Sequence, residues 1–282
     1  MEKITSPNNE RIKQIAKIIS TAKERKYSSR YMVEGLRMVR EIPEENLDHL
    51  FMTQFFFEKY SSEDERLLNL IEDSDRRGRF FIVSDSVIKK LADTENPQGV
   101  VAIVKMETYG LEDLLGDASE VPLILVIEKM QDPGNMGTII RTAEGAGATG
   151  LLVSYDSVDV YSPKVVRSTM GSIFRKNIVI TYDLLGDIRR LKKKGVKVYG
   201  MHLNGSSIYE TALTGPSAFL IGNEGAGLTE EISGEADKLL RIPMMGEVES
   251  LNAGTSAAII SYEALRQRIE ESERLLFGDD FL

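Results

Sequence analysis

The sequence contains no cysteine, which excludes a disulfide framework and a thiolate metal site. It has only two histidines, His49 and His202, which are far apart and in no metal-ligand spacing, so we expect no bound metal. No apolar run approaches the ~20 residues that a membrane-spanning helix needs, and residues 1–14 lack the apolar centre of a signal peptide. These absences predict a cytoplasmic protein without a membrane partner.

The charge of the chain is acidic overall but basic at its start. The formal net charge is −9 at pH 7, which argues against a histone-like protein that binds nucleic acid without selectivity. Residues 1–30 nevertheless carry eight lysines and arginines against three glutamates, a local charge of +5. Taken alone, a basic helix usually indicates a solvated face. It becomes a candidate RNA-binding surface if a domain that acts on RNA follows it.

The first third of the chain, 1–105, has the alternating pattern of a small α/β domain. A turn signal, Asn96-Pro97-Gln98-Gly99, precedes its last strand. We expect helices and strands to alternate here, with helices at 9–26, 35–42, 63–72 and 87–91 and strands at 31–33, 47–57, 79–83 and 99–104. A polar, acidic stretch at 106–120 follows, which we interpret as an interdomain linker.

The remainder, 121–282, repeats a strand–helix pattern. Residues 122–127 form a nearly continuous apolar run, which is typical of a parallel strand buried on both faces. We expect further strands at 150–154, 177–181, 197–201, 217–221 and 238–242, and helices at 137–147, 163–172, 184–194 and 251–271. This pattern predicts an α/β domain built on an open, mostly parallel sheet covered by helices.

One glycine motif in this domain is misleading. Residues 145–150 match G-x-G-x-x-G, the fingerprint of dinucleotide-binding domains. That fingerprint must end a strand and open a helix, whereas these glycines end a predicted helix and lead into a strand. The motif is therefore better explained as a helix C-cap and tight turn, and a dinucleotide-dependent oxidoreductase is disfavoured.

Three polar, glycine-containing segments follow buried-strand signals: 132–143, 219–228 and 242–254. In the first, we expect the helix to start near Met136, with Arg141 one turn into it on the side of the strand ends, where open α/β sheets bind ligands. In the second, glycines such as Gly222 let the backbone approach a ligand closely, and Glu224 is the one carboxylate. In the third, Asn252 is placed to cap the last helix.

Together, and in this order, the three segments resemble those of the SpoU (TrmH-like) RNA 2′-O-methyltransferases of the SPOUT superfamily. The resemblance extends from about Val121 to Arg268. The residues that match the family's catalytic pattern are Asn135, Arg141, Glu224, Ser250 and Asn252. The family assigns the arginine to activating or positioning the ribose hydroxyl. Because the pKa of arginine exceeds ~12, it is a poor base; a phosphate-assisted role, or stabilisation of a developing alkoxide, is physically easier.

The resemblance further implies S-adenosyl-L-methionine as cofactor, bound through the backbone at Gly222, Ile242 and Leu251, with Ile221 and Met244 in the same pocket. It also implies a deep trefoil knot and a homodimer whose active site forms at the subunit interface. The domain at 1–105 resembles, less specifically, the RNA substrate-binding domain that often precedes this module.

The resulting expectation is S-adenosylmethionine-dependent 2′-O-methylation of a ribose in RNA, without a metal. The two-domain layout resembles that of the family's ribosomal RNA enzymes more than that of its single-domain transfer RNA enzymes, and this resemblance favours ribosomal RNA. The alternatives are a transfer RNA enzyme of the same family, an antibiotic-resistance methylase of ribosomal RNA, and a non-catalytic RNA-binding or assembly factor.

Overall fold

The computed structural model describes residues 2–61, 64–247 and 250–277. Its chain forms two compact units. The first comprises Met1–Glu107 with Asp159–Phe174, and the second comprises Thr108–Val158 with Arg175–Leu282. No helix within the described ranges is long and apolar enough to cross a membrane.

The first unit contains a five-stranded mixed sheet. Its strands are β1 (Glu2–Ile4), β2 (Arg30–Glu34), β3 (Leu47–Thr53), β4 (Phe80–Val83) and β5 (Val100–Lys105). Its helices are α1 (Glu10–Ser20), α2 (Ala22–Ser28), α3 (Leu36–Val39), α4 (Gln54–Tyr60), α5 (Glu65–Arg76), α6 (Asp85–Leu91) and α8 (Pro163–Ser168). The sheet order is β1-β4-β3-β5-β2, in which β5 is antiparallel to both of its neighbours.

Two threonines divide elements that the sequence pattern predicts as continuous. The expected helix at 9–26 breaks at Thr21, whose extended backbone and side-chain bond to the Glu24 amide start α2. The expected strand at 47–57 ends at Thr53, which caps α4 by accepting from the Phe56 amide at 3.2 Å. In both places a side-chain oxygen satisfies an amide that a helix start would leave unpaired, and apolar periodicity does not report this.

The segment 159–174, which we expected in the second domain, clusters with the first unit. Tyr161 is nearly buried and its ring lies 4.9 Å from that of Tyr31. Arg25 is also buried, and its guanidinium lies 2.7 Å from the carboxylate of Asp159. One of the eight cations of residues 1–30 is therefore engaged inside the unit and unavailable to RNA.

The second unit contains a six-stranded sheet in which every pairing is parallel. Its strands are β6 (Leu123–Ile127), β7 (Gly150–Ser154), β8 (Asn177–Thr181), β9 (Lys197–Ser207), β10 (Ser217–Ile221) and β11 (Lys238–Arg241). Its helices are α7 (Pro133–Gly145), α9 (Leu184–Lys193), α10 (Glu230–Ser233) and α11 (Ala253–Phe277). The order is β11-β9-β10-β6-β7-β8, which confirms the expected α/β class with a parallel sheet and helices.

The segment 106–120, expected as a linker, belongs to the second unit from Thr108 onward. Its 3₁₀ helix, Leu111–Leu115, places Leu114 in the core of that unit beside strand residues such as Ile124 and Leu152. The disfavoured glycine motif has the geometry of a C-cap, since α7 ends at Gly145 and Gly147 has a φ of +68°.

Candidate active site

The first predicted segment forms the start of α7 at the carboxyl end of β6. The helix begins at Pro133, three residues earlier than expected, because the Asp132 side chain caps it by accepting from the Asn135 amide at 2.7 Å. Arg141 therefore lies in the third turn, about 12 Å from the helix start at 1.5 Å per residue. The expectation that the helix starts near Met136, with Arg141 one turn into it, is therefore wrong.

Glu224 joins the second segment to the first. Its carboxylate accepts hydrogen bonds from the backbone amides of Gln131 at 3.2 Å and Asp132 at 2.8 Å, and from the side-chain amide of Asn135 at 3.2 Å. Partial burial acts to raise the pKa of Glu224, but these hydrogen bonds outweigh it and the pKa is lowered. The group is thus held as an ionised acceptor at the start of α7, where the helix dipole also favours negative charge.

Asn252 joins the third segment to the same network. Its side-chain amide donates to the side-chain oxygen of Asn135 at 2.8 Å, while its own oxygen accepts from the Thr255 amide at 3.2 Å and so caps α11. The structure therefore brings Asn135, Glu224 and Asn252 together in one continuous chain of hydrogen bonds, although they are far apart in sequence.

The glycine-rich loop after β10 closes on itself. Asn223 and Gly227 exchange two backbone hydrogen bonds of 3.0 and 2.9 Å. The side chain of Asn223 also donates to the Lys129 carbonyl at 2.8 Å, which ties the loop to the end of β6. A Cβ on Gly222 would lie 2.2 Å from the carbonyl carbon of Gly227. Glycine is thus required at Gly222 because the loop's own backbone leaves no room for a side chain. The sequence pattern had indicated only that glycine there lets a ligand approach the backbone.

Two of the predicted catalytic residues lie outside this network. Arg141 is exposed, and within the ranges that the structure describes it has no hydrogen bond or ion pair. Ser250 is exposed as well. It directly follows Val248 and Glu249, the part of the third segment that lies outside the described residues.

The five predicted cofactor residues come from three places in the second unit. Ile221 is buried at the end of β10 and Gly222 follows it. Ile242 and Met244 follow β11, and Leu251 precedes α11; all three are half-buried. In the sheet, β9 lies between β10 and β11.

A cavity of about 410 Å³ opens at the carboxyl ends of β6 and β10. The lining residues are Lys129, Gln131, Asp156, Asn223, Ala226, Gly227, Leu228 and Thr229. None of the five predicted cofactor residues belongs to this lining, although Gly222 directly precedes the lining residue Asn223.

Sequence reasoning missed several residues that organise the site. Gln131 and Asp132 supply the amides that hold Glu224, and Asn223 anchors the glycine-rich loop. Buried Glu128 accepts from the amide and hydroxyl of Thr229 at 2.9 and 2.7 Å, which fixes the far end of that loop. The available signal was their position, directly after buried strands, where polar residues must find partners.

Known proteins match both halves of the chain. The model of the SpoU rRNA Methylase family matches residues 122–262, and that of the MRM3-like substrate binding domain matches residues 9–102. The 23S rRNA (guanosine(2553)-2′-O)-methyltransferase RlmP of Bacillus subtilis is 32% identical over 93% of this chain and 98% of its own length.

Solved structures of rRNA methyltransferases also match the chain. An AdoMet-bound rRNA methyltransferase from Sinorhizobium meliloti has a TM-score of 0.80 and 30% identity, and the match covers 94% of this chain and 97% of that one. The SpoU methyltransferase AviRb from Streptomyces viridochromogenes, in complex with AdoMet, has a TM-score of 0.77 and 29% identity, over 93% of this chain and 100% of that one. The chain described here therefore belongs to the SpoU rRNA methylase family.

Proposed function

We propose that this protein transfers a methyl group from S-adenosylmethionine to the 2′-hydroxyl of a ribose in ribosomal RNA. The observation that carries the proposal is the hydrogen-bonded chain of Asn135, Glu224 and Asn252, which unites the three family segments at one edge of the sheet. The named relative acts on 23S rRNA and matches both units of this chain, which favours ribosomal over transfer RNA.

The cofactor pocket is proposed at Gly222, Ile242 and Leu251, with Ile221 and Met244 beside them. The half-buried apolar side chains of Ile242, Met244 and Leu251 suit a ligand with a flat adenine ring. S-adenosylmethionine supplies the electrophilic methyl group on its sulfonium. Two of the matched structures hold this cofactor, which supports the assignment.

Glu224 is proposed to position the site. Its carboxylate is already committed to three donors from the start of α7, and its lowered pKa keeps it ionised at neutral pH. It therefore has no proton to donate, and its role is to fix the position of Asn135 relative to the glycine-rich loop. Asn252 and Ser250 complete this polar edge in the proposal.

Arg141 is proposed to stabilise the ribose oxygen as it loses its proton. A guanidinium remains charged at all relevant pH values and can donate several hydrogen bonds in a fixed plane. Arg141 is exposed and has no ion-pair partner within the described ranges, so its charge is available to a substrate. It lies six residues beyond Asn135, about 9 Å along the helix.

That separation supports a homodimer. If Arg141 lies too far along α7 to reach the polar residues of its own chain's site, Arg141 of a second copy can complete that site, as the family resemblance implies. The implied trefoil knot is part of the same proposal and rests on the family resemblance. The first unit is proposed to hold the RNA, and a ribosomal RNA substrate favours a cytoplasmic location.

Methyl transfer to RNA tests the proposal directly. The protein is incubated with radiolabelled S-adenosylmethionine and ribosomal RNA from cells that lack it, and modified riboses are mapped by primer extension. Arg141→Ala should abolish incorporation while cofactor affinity, measured by calorimetry, stays close to that of the parent. Arg141→Lys should restore little, because a point charge does not reproduce the planar fork.

A matched control is Arg189→Ala, which removes an exposed arginine of α9 that pairs with Glu235 at 2.7 Å. It should methylate at the parental rate. Full activity of Arg141→Ala would contradict the catalytic role, and incorporation into transfer RNA alone would contradict the substrate class.

A further inference from the structure

Two exposed tyrosines form a stacked pair in the second unit. The rings of Tyr155 and Tyr182 have centroids 3.9 Å apart and an interplanar angle of 28°. Tyr182 is 80% exposed and Tyr155 is 42% exposed, so the pair presents an open aromatic face to solvent. Burying these rings would be favourable, so an exposed, ordered pair is a candidate binding surface.

The pair lies on the same sheet edge as the candidate active site. Tyr155 directly follows β7 and Tyr182 directly follows β8, in paired register, and the Tyr155 amide donates to the Thr181 carbonyl at 2.8 Å. In the sheet order β10-β6-β7-β8, the edge therefore carries Glu224, then the start of α7, then the two tyrosines. We call Tyr155 and Tyr182 the aromatic shelf.

The backbone beneath the aromatic shelf is fixed on both sides. After Tyr182, Asp183 caps α9 by accepting from the Gly186 amide at 3.0 Å, and its own amide donates to the hydroxyl of Thr181 at 3.0 Å. The backbone of a residue between a strand end and a helix cap has little conformational freedom, so binding to its side chain does not require a loop to become ordered.

The turn that carries Tyr155 is also tied to residues 129–131, which directly precede the first family segment. The amide of Lys129 donates to the hydroxyl of Ser154 at 2.9 Å, and that of Met130 to the hydroxyl of Ser157 at 3.2 Å. The side chain of Gln131 donates to the Asp156 carbonyl at 2.9 Å. These bonds fix the turn that carries Tyr155 relative to the residues whose amides hold Glu224.

We propose that the aromatic shelf binds an unpaired RNA base close to the target nucleotide, by stacking on the outer face of Tyr182. RNA is recognised mostly through splayed-out bases that stack on aromatic side chains, and this requires a single strand. The inference rests on the proposed function for the identity of the ligand, but it concerns binding and not methyl transfer.

The test measures RNA binding by fluorescence polarisation, with a labelled single-stranded oligoadenylate and an RNA duplex of the same length as probes. Tyr182→Ala should weaken binding of the single strand about 5- to 150-fold, which is the effect of losing one base stack. It should leave duplex binding unchanged, since paired bases offer no face to the shelf. Tyr182→Phe keeps the ring and should bind like the parent.

Tyr209→Ala is the matched control, because Tyr209 is 58% exposed in the same unit but follows β9, four strands away from β8. Thermal unfolding and light scattering check that each variant is folded and has the parental mass. Unchanged single-strand affinity in Tyr182→Ala would overturn the proposal, as would a parent protein that does not prefer the single strand. A change in mass with unchanged RNA affinity would assign the shelf to a protein contact instead. A parent that binds the oligonucleotide in this way but methylates no RNA would refute the proposed function and leave the shelf standing.

Discussion

The three glycines of the loop after β10 should respond differently to the same substitution. A Cβ on Gly222 would lie 2.2 Å from the Gly227 carbonyl carbon and 2.4 Å from the Leu228 nitrogen. A Cβ on Gly225 would meet only the Asn223 side chain at 3.7 Å, an ordinary contact. Gly227 has open space around it but a φ of +70°, which disfavours any side chain.

The magnitudes follow from these distances. Carbon atoms normally approach to 3.5–4.0 Å, so Gly222→Ala would force the backbone of residues 227–228 to move by roughly 1.3 Å. Overpacking of this kind costs about 1–3 kcal/mol, and loss of the two backbone bonds between Asn223 and Gly227 adds about 1 kcal/mol each. We expect a loss of about 3–5 kcal/mol for Gly222→Ala, about 1 kcal/mol for Gly227→Ala, and under about 0.5 kcal/mol for Gly225→Ala.

The assay is urea unfolding of the three variants, with amide hydrogen exchange to locate the change. Gly222→Ala should lose protection in residues 223–229, because the loop opens locally before the whole unit unfolds. Cofactor affinity should fall in the same order as loop stability. If Gly222→Ala were as stable as Gly225→Ala, the close approach of the backbone would not be what requires glycine at Gly222.

Three further outcomes are expected. Glu224→Gln should lower the free energy of unfolding by about 1 kcal/mol at pH 7, because it removes charge-assisted hydrogen bonds whose contribution is reduced by solvent exposure. Folding lowers the pKa of Glu224 below its ordinary 4.5. The stability difference between parent and variant should therefore be complete above pH 4.5 and disappear as the pH falls through the pKa of Glu224 in the folded protein. A stability difference that stays constant with pH would contradict this prediction. Light scattering should give a homodimer for the full chain at micromolar concentration, and a monomer would refute a shared active site. Replacing exposed Lys17 and Lys23 together by Gln should reduce the salt dependence of RNA binding by about 1.4–1.8 log units per log unit of salt, whereas Lys193→Gln should not change it.

Truncation of the first 105 residues is a poor experiment for this chain. The segment 159–174 belongs to the first unit, so the remaining protein would keep Tyr161 and its neighbours without Tyr31 and the core they pack on. Point substitutions in the full chain therefore test RNA binding more cleanly.

The sequence alone determined the fold class and most of the second sheet. The strands at 150–154 and 217–221 coincide with β7 and β10, because strands buried on both faces have apolar runs bounded by polar turns. The strand at 177–181 coincides with β8, the partly buried edge strand. The family segments also identified Asn135, Glu224 and Asn252 as a group. These residues meet because parallel strands place all their carboxyl ends on one edge.

Only the tertiary structure decided how these residues interact. That Glu224 binds backbone amides of Gln131 and Asp132 depends on the pairing of β10 with β6, which no local pattern contains. The membership of 159–174 in the first unit, and the stacking of Tyr155 on Tyr182, likewise depend on contacts between segments distant in the chain. Local periodicity reports which face of an element is buried, whereas the partner that buries it is chosen by the topology of the whole sheet.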